Sequence, residues 1–560
     1  MPTAEARVSI VEDPSGFALP ESHRRYILWS ILLGFAALAV GVFQGFVQGL
    51  NYGGINIFSN LPGMRTYYQG LTLHAVFNVF VFPFAAANGW LALTVARSLG
   101  RPLSGFLLAL SFWLLVGGTL LSGYSIAAGK ASVLYTFYPP LRAEWTFYAG
   151  AVLLVLSTWT ISVAQLLALS AWKKEHRGER IPLLAFVSIA TYVMWDIASM
   201  GVAIEVLTLL LPWSLNLLPG SDPLLSRVLF WYTGHQIVYY WLLPIYVSWY
   251  TMIPRQVGGK LFSDTLARIA FILFIVLMPV GFHHQYVDPG ISGYFKWSAG
   301  ILTFAIFFPS LLTAFSVMYA LEMGGRARGG KGMLGWLWRL PWGDPSVSAQ
   351  VLAMITFLPG GITGLMNASI EMNRIIHNTT FVPGHFHLTV GSAVALSYFG
   401  LAYWLIPYLT GRELWGRRLA VWQSWLYFVG VLIFARGEIS GGLLGMPRRT
   451  AISLINYAPL PGWKLAGALT AIGGTLMFAA ALLFFLVLIM TLLAGRKTRP
   501  VADLPFSTTV QGAAPSGNQL ILDRISYWVV LSLVLVGLVY GPFLLTHFPP
   551  TLSAPPFMGY

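Results

Sequence analysis

Long apolar runs dominate this chain and leave it few folds to choose from. About thirteen stretches of roughly 20 residues or more carry almost no charge: approximately 27–48, 71–96, 104–127, 145–172, 182–212, 226–253, 265–287, 297–322, 348–370, 384–408, 418–441, 463–494 and 525–546. Each is long enough to cross the hydrocarbon core of a bilayer as an α-helix. In lipid the backbone must satisfy its own polar groups, and continuous apolar runs of this length do so as helices. Charged residues make up 9% of the chain, against roughly 25% in soluble domains. The expected fold class is all-α: a polytopic membrane bundle of about 13 transmembrane helices. Residues 1–26 read as a polar arm, 27–547 as the bundle and 548–560 as a short tail. Residues 500–520 read as a mobile polar linker, and no internal repeat is evident.

Charge then orients the bundle. With the N-terminus in the cytoplasm, about 23 of the basic residues fall on the inner side and about 10 on the outer side, as the positive-inside rule requires. The net charge of +14 is largely explained this way, so a nucleic-acid partner is not called for. The first apolar run is too long for a signal-peptide core, and Arg24-Arg25 reads as its cytoplasmic flank. The expected location is a prokaryotic cell membrane. Cysteine is absent, which excludes a disulfide, an iron–sulfur cluster, a covalently attached c-type haem and a thiolate copper centre in this chain.

Any redox metal must therefore use histidine, and the histidines are unusually placed. His23, His176 and His547 fall near solvent-facing ends and read as surface residues. His74, His235, His283, His284, His377, His385 and His387 lie in or beside spans, all in the outer half by the orientation above. An ionisable residue inside a membrane span is costly enough to suggest function, and a shared depth is what a layer of metals needs. Neutral imidazole suits copper and iron. His385 and His387 are two residues apart, about 200° around a helix axis, so one helix presents imidazoles to opposite sides.

Four motifs carry a family resemblance: Tyr67-Tyr68-Gln69-Gly70-Leu71-Thr72-Leu73-His74, Trp231-Tyr232-Thr233-Gly234-His235-Gln236-Ile237-Val238-Tyr239, Gly281-Phe282-His283-His284-Gln285 and Val382-Pro383-Gly384-His385-Phe386-His387. They resemble subunit I of the B-class (ba-type) haem–copper oxygen reductases, the cytochrome c oxidases among them. The resemblance implies that His74 and His387 are the axial ligands of a low-spin haem, haem b. It implies that His385 is the protein ligand of a high-spin haem of the haem A type, and that His235, His283 and His284 hold a copper, CuB. It further implies a proton-pumping terminal oxidase that reduces dioxygen to water. The implied partners are a subunit II with a dicopper CuA centre, a small additional membrane subunit, membrane lipid, and cytochrome c or a small copper protein as donor.

Tyr239 follows His235 by one helical turn, and the resemblance implies that the two are covalently joined, with Tyr239 giving a proton and an electron to O–O cleavage. Tyr239, Tyr246 and Tyr250 fall within about 20° of one line on a helix, running inward for roughly 16 Å. In the family this stripe is a proton path, to which Ser263, Thr303, Ser310 and Thr313 correspond. Arg448, Arg449 and His377 match groups that bind haem propionates, a role to which the planar guanidinium fork is suited. Ile237 stands where the other large oxidase class has a glutamate, so that class's proton channel is not expected. Gln236 replaces a usual proline, which restores a backbone donor. Asn373 replaces an aspartate near the propionates, with Glu371 as the alternative carboxyl. Two rivals share part of this pattern: a nitric oxide reductase on the same bundle, whose members generally lack the tyrosine, and a proton-coupled transporter with histidine relays, which would be colourless.

Overall fold

The computed structural model of the chain describes residues 17–280, 287, 290–454, 460–498, 506–510 and 517–548. Among these residues every regular element is helical, and extended residues pair only in three isolated bridges. The chain runs through α1 (Glu21–Tyr52), α2 (Tyr67–Leu99), α3 (Gly105–Ala127), α4 (Trp145–Glu175) and α5 (Leu183–Ser214). The sixth expected span is two shorter helices, α6 (Pro223–Gly234) and α7 (Gln236–Thr251), which meet at His235. The seventh is α8 (Asp264–Leu277), followed by a short 3-10 turn. Then come α9 (Gly293–Ala327), α10 (Pro345–Ala368), α11 (Phe381–Thr410), α12 (Arg417–Leu443), α13 (Trp463–Ala494) and α14 (Ile525–His547). All but α6, α7 and α8 are long and apolar enough to cross a membrane alone, which makes 11 rather than the expected thirteen among the described residues. Hydropathy sees one apolar run across His235; backbone hydrogen bonding divides it.

Helix starts follow local chemistry. Asp222 Oδ1 accepts from the Leu224 and Leu225 amides at α6, Asp344 Oδ1 from those of Ser346 and Val347 at α10, each with proline next in the chain. These side chains satisfy amides that the first turn leaves open, and proline there forfeits none. The α1 helix begins at Glu21, inside the expected polar arm, and His23 is not a surface residue: it is buried and its Nε2 bonds Leu103 O at 2.8 Å.

Small residues set the closest approaches between helices. Between α12 and α13, a Cβ on Gly473 would stand 2.2 Å from Phe434 N, and one on Gly437 would stand 2.6 Å from Ala466 O. Close backbone contact of this kind replaces the hydrophobic drive that lipid does not provide. The centre, where α2, α5 and α7 meet, is filled by Phe84, Trp90, Trp195 and Tyr240, with the Trp90 indole donating to Pro244 O at 3.0 Å.

Three helices contain a π-turn: Phe77–Val81 in α2, Val206–Leu210 in α5 and Thr389–Val394 in α11. At the start of α8, Arg268 is buried and pairs with Asp264 and Asp523 at 2.8 Å each, while Arg180 pairs with Asp264 at 2.8 Å. This cluster fastens the entry to α14, a helix otherwise largely exposed at the rim. Part of the expected mobile linker is also fastened. Leu261 N donates to Thr508 O at 2.8 Å and Ser507 N to Thr251 O at 2.8 Å.

Candidate metal centre

A cavity of about 350 Å³ runs through the middle of the bundle and is lined by His74, His235, Tyr239, His385, His387, Arg448 and Arg449.

His74 comes from α2 and His387 from the first turns of α11. Their ring centroids are 6.4 Å apart and their planes lie within 8° of parallel. His74 Nδ1 bonds Gly41 O at 2.8 Å, and His387 Nδ1 bonds Pro383 O at 2.7 Å. A carbonyl oxygen only accepts, so each Nδ1 carries the proton and each Nε2 keeps its lone pair. Orienting a ligand imidazole through its other nitrogen is the usual support of a metal site. With a metal–imidazole bond of about 2.0–2.1 Å and ~1.2 Å from Nε2 to ring centre, one ion between facing rings sets the centroids ~6.4–6.6 Å apart. The pair would fit one ion held between two imidazole nitrogens.

Helix α1 makes room for this. A Cβ on Gly45 would stand 2.6 Å from His74 Cε1, so only glycine lets the ring sit there. His387 packs against Phe434 of α12 at 4.5 Å between ring centres.

His385 Nδ1 bonds Gly360 O at 3.0 Å and the Thr363 hydroxyl at 3.0 Å, both on α10, which leaves its Nε2 as the remaining donor atom. His235 is buried at the α6–α7 junction and opens on the same cavity. Tyr239 lies one turn along, its ring 5.4 Å from that of His235 at 65°. His283 and His284 lie outside the described residues. Among the described residues no group of three or more His, Cys, Asp or Glu could hold a metal ion by itself.

The hydroxyl stripe of α7 meets a second stripe on α9. Tyr246 OH donates to Ser310 Oγ at 3.3 Å, and Tyr250 OH shares a 2.8 Å hydrogen bond with Thr313 Oγ1. Thr303 lines the cavity but donates to Ala299 O of its own helix at 2.6 Å. Ser263 caps α8 by accepting from the Leu266 amide at 3.2 Å. Ser507, which no motif points to, donates from Oγ to Tyr250 O at the end of the stripe far from Tyr239.

Arg448 donates from Nη2 to Asn378 Oδ1 at 2.9 Å, and Arg449, with a left-handed φ of 56°, lies over the Tyr135 ring at 4.9 Å. His377 is half-buried, adjoins Asn378 in the chain and is not among the cavity-lining residues. Asn373 is buried and donates to Asn367 O at 2.8 Å, whereas Glu371 is exposed and paired with Arg374 at 3.1 Å. Glu371 therefore does not stand in for an aspartate at position 373. Gln236 is wholly buried beside His235.

The description "Cytochrome C and Quinol oxidase polypeptide I" belongs to a family model that matches residues 25–476. Cytochrome c oxidase subunit 1 of Thermus thermophilus is 43% identical over 541 residues, 95% of this chain and 96% of that protein. The subunit of the same name from Synechocystis is 26% identical over 455 residues, covering 77% of each. A solved haem–copper terminal oxidase dimer superposes with a TM-score of 0.91 at 36% identity, covering 97% of this chain and 96% of that one. With its central cavity, its facing histidines and this breadth of likeness, the chain belongs to the cytochrome c and quinol oxidase polypeptide I family.

Proposed function

We propose that this chain is the catalytic subunit of a B-class terminal oxidase, reducing dioxygen to water and moving protons outward across a prokaryotic cell membrane. Family membership supports the activity, and Tyr239 beside His235 in the cavity supports the oxidase chemistry over nitric oxide reduction. His74 and His387 would hold a low-spin haem b, His385 a high-spin haem of the haem A type, and His235 with His283 and His284 a copper. When bound, these groups supply the electron transfer and the dioxygen binding. The protein's own part is protons and position.

Tyr239 is the phenol at the end of the hydroxyl stripe, poised to give its proton to the reacting oxygen. Tyr246–Ser310 and Tyr250–Thr313 are relays behind it, each pair linking α7 to α9 across one hydrogen bond. Hydroxyls both donate and accept, so a proton can pass along such a row without a free ion in the membrane interior. Arg448 and Arg449 offer guanidinium forks to the haem carboxylates at the outer end. Electrons enter from a partner subunit II with a dicopper centre, supplied by cytochrome c or a small copper protein, and a small membrane subunit completes the complex. The N-terminus is cytoplasmic.

The test is haem and copper analysis of the purified complex with parallel oxygen and nitric oxide turnover, and mass spectrometry of the peptide bearing His235 and Tyr239. Two haems, one copper, oxygen turnover and a joined His235–Tyr239 pair are expected. An unlinked pair with nitric oxide as the better substrate would overturn the oxidase reading.

A further inference from the structure

One buried carboxyl has no place in the arrangement above. Glu438 lies on α12, one turn beyond Phe434 toward the end of the bundle that carries Arg448 and Arg449. It is 2% exposed and lines the central cavity with Gln48, Tyr52, Tyr67 and Thr470. Thr470, whose hydroxyl donates to Ala466 O at 3.0 Å, lines the cavity beside the carboxyl, and Glu438 Oε2 has no hydrogen-bond partner among the described residues. Its backbone is held in place: Thr380 Oγ1 donates to Glu438 O at 2.7 Å, and a Cβ on Gly384 would stand 3.0 Å from Glu438 Cβ. The carboxyl is fixed beside the cavity rather than free to turn to solvent.

A buried polar atom without a partner is costly, and the cavity is the place from which a partner can come. We propose that Glu438, as the protonated acid, donates a hydrogen bond to a propionate of the group held between His74 and His387. The proposal rests on the low-spin haem reading. Each haem carries two propionates, so two haems bring more carboxylates to this end than Arg448 and Arg449 can neutralise. A carboxylic acid adds a donor there without adding negative charge. Two carboxylates face each other closely only with a proton between them. The other polar groups around Glu438 are the phenols of Tyr52 and Tyr67, the amide of Gln48 and the Thr470 hydroxyl, while Arg449 lines the same cavity over the Tyr135 ring. None of these puts a second carboxylate there.

Spectroelectrochemistry of the purified complex tests this. Glu438→Gln keeps an N–H donor and should keep the low-spin haem with its midpoint potential close to that of the unaltered protein. Glu438→Ala removes the donor, leaves the propionate charge less compensated and favours the ferric form, so the low-spin potential should shift downward while the high-spin potential stays. Unmoved potentials in Glu438→Ala with both haems bound, or an equal shift in both variants, would overturn the proposal. If Glu438→Ala does not assemble, redox-difference infrared spectra of Glu438→Gln decide: a protonated-carboxyl band of the unaltered protein should be lost, and identical spectra overturn the assignment. A complex lacking any bis-histidine low-spin spectrum in its unaltered form is a different result, because it removes the haem reading and not Glu438 alone.

Discussion

Gly45 shows how much of the site depends on a side chain that is not there. Its missing Cβ leaves the space into which the His74 ring fits, 2.6 Å from where that carbon would be. Gly45→Ala should therefore displace the imidazole and weaken or abolish the low-spin absorbance, although every ligand is intact; His74→Ala should abolish it outright. Visible spectra of membranes carrying either variant check this, and an unaltered low-spin band in Gly45→Ala would show that the ring does not need this position. Tyr239→Phe keeps the ring and loses only the phenol, so haem and copper should stay bound while oxygen reduction falls by at least ~100-fold, the lower range for loss of a positioned proton donor. His74, His235, His385 and His387, which the fold brings to one cavity, could be singled out in the sequence because each interrupts an apolar run with an ionisable group. Glu438 could not: with Arg436 two residues before it, it resembles an ordinary pair of charges near a helix end, and only the fold shows that it faces the cavity.

Between elements, the informative contact is that of α7 with α9. The tyrosine stripe was legible as a helical spacing, and the serine and threonine partners on α9 were legible only through family likeness. Their pairing, Tyr246 with Ser310 and Tyr250 with Thr313, depends on how two distant helices pack, which no local pattern encodes. Tyr250→Phe and Thr313→Val should each slow turnover with metal content and spectra unchanged, and the double variant should be little worse than either single, because both break the same link. Steady-state oxygen consumption checks this; fully additive losses would mean that the two hydroxyls act separately. The break at His235 was hidden for a similar reason. Hydropathy records composition, and the residues on both sides of the junction are equally apolar. Ser507 was hidden in a stretch whose polarity reads as linker, although its hydroxyl meets Tyr250 O.

At the scale of the molecule, the bundle surrounds a cavity that its own side chains do not fill, and its last helix is held by charge at one end. Arg268, with 1% of its side chain exposed, joins Asp264 and Asp523 and so ties the entry of α14 to α8. Removing one partner of a buried ion pair strands the others and typically costs about 3–5 kcal/mol. Arg268→Ala should accordingly lower the thermal denaturation temperature of the purified protein in detergent, with the haem spectra before heating unchanged. A denaturation temperature equal to that of the unaltered protein would show that α14 is held by its apolar contacts alone. The apolar runs made the membrane bundle legible at once, whereas this clamp joins residues 255 positions apart and could be seen only in the fold.

The π-turns in α2 and α11 follow His74 and His387 within their own helices, with the Phe82 amide bonded to Phe77 O and the Ala395 amide to Val390 O. Such a turn holds one residue more than an α-turn, and one residue is about 100° of rotation. The direction of each imidazole is thus set independently of the face that the remainder of its helix presents to the core. Winding the same residues as a regular α-helix at either turn would rotate everything beyond it by most of that angle, turning Trp90 or Phe399 out of its packed place. In these two helices regularity and the placing of the imidazoles are opposed.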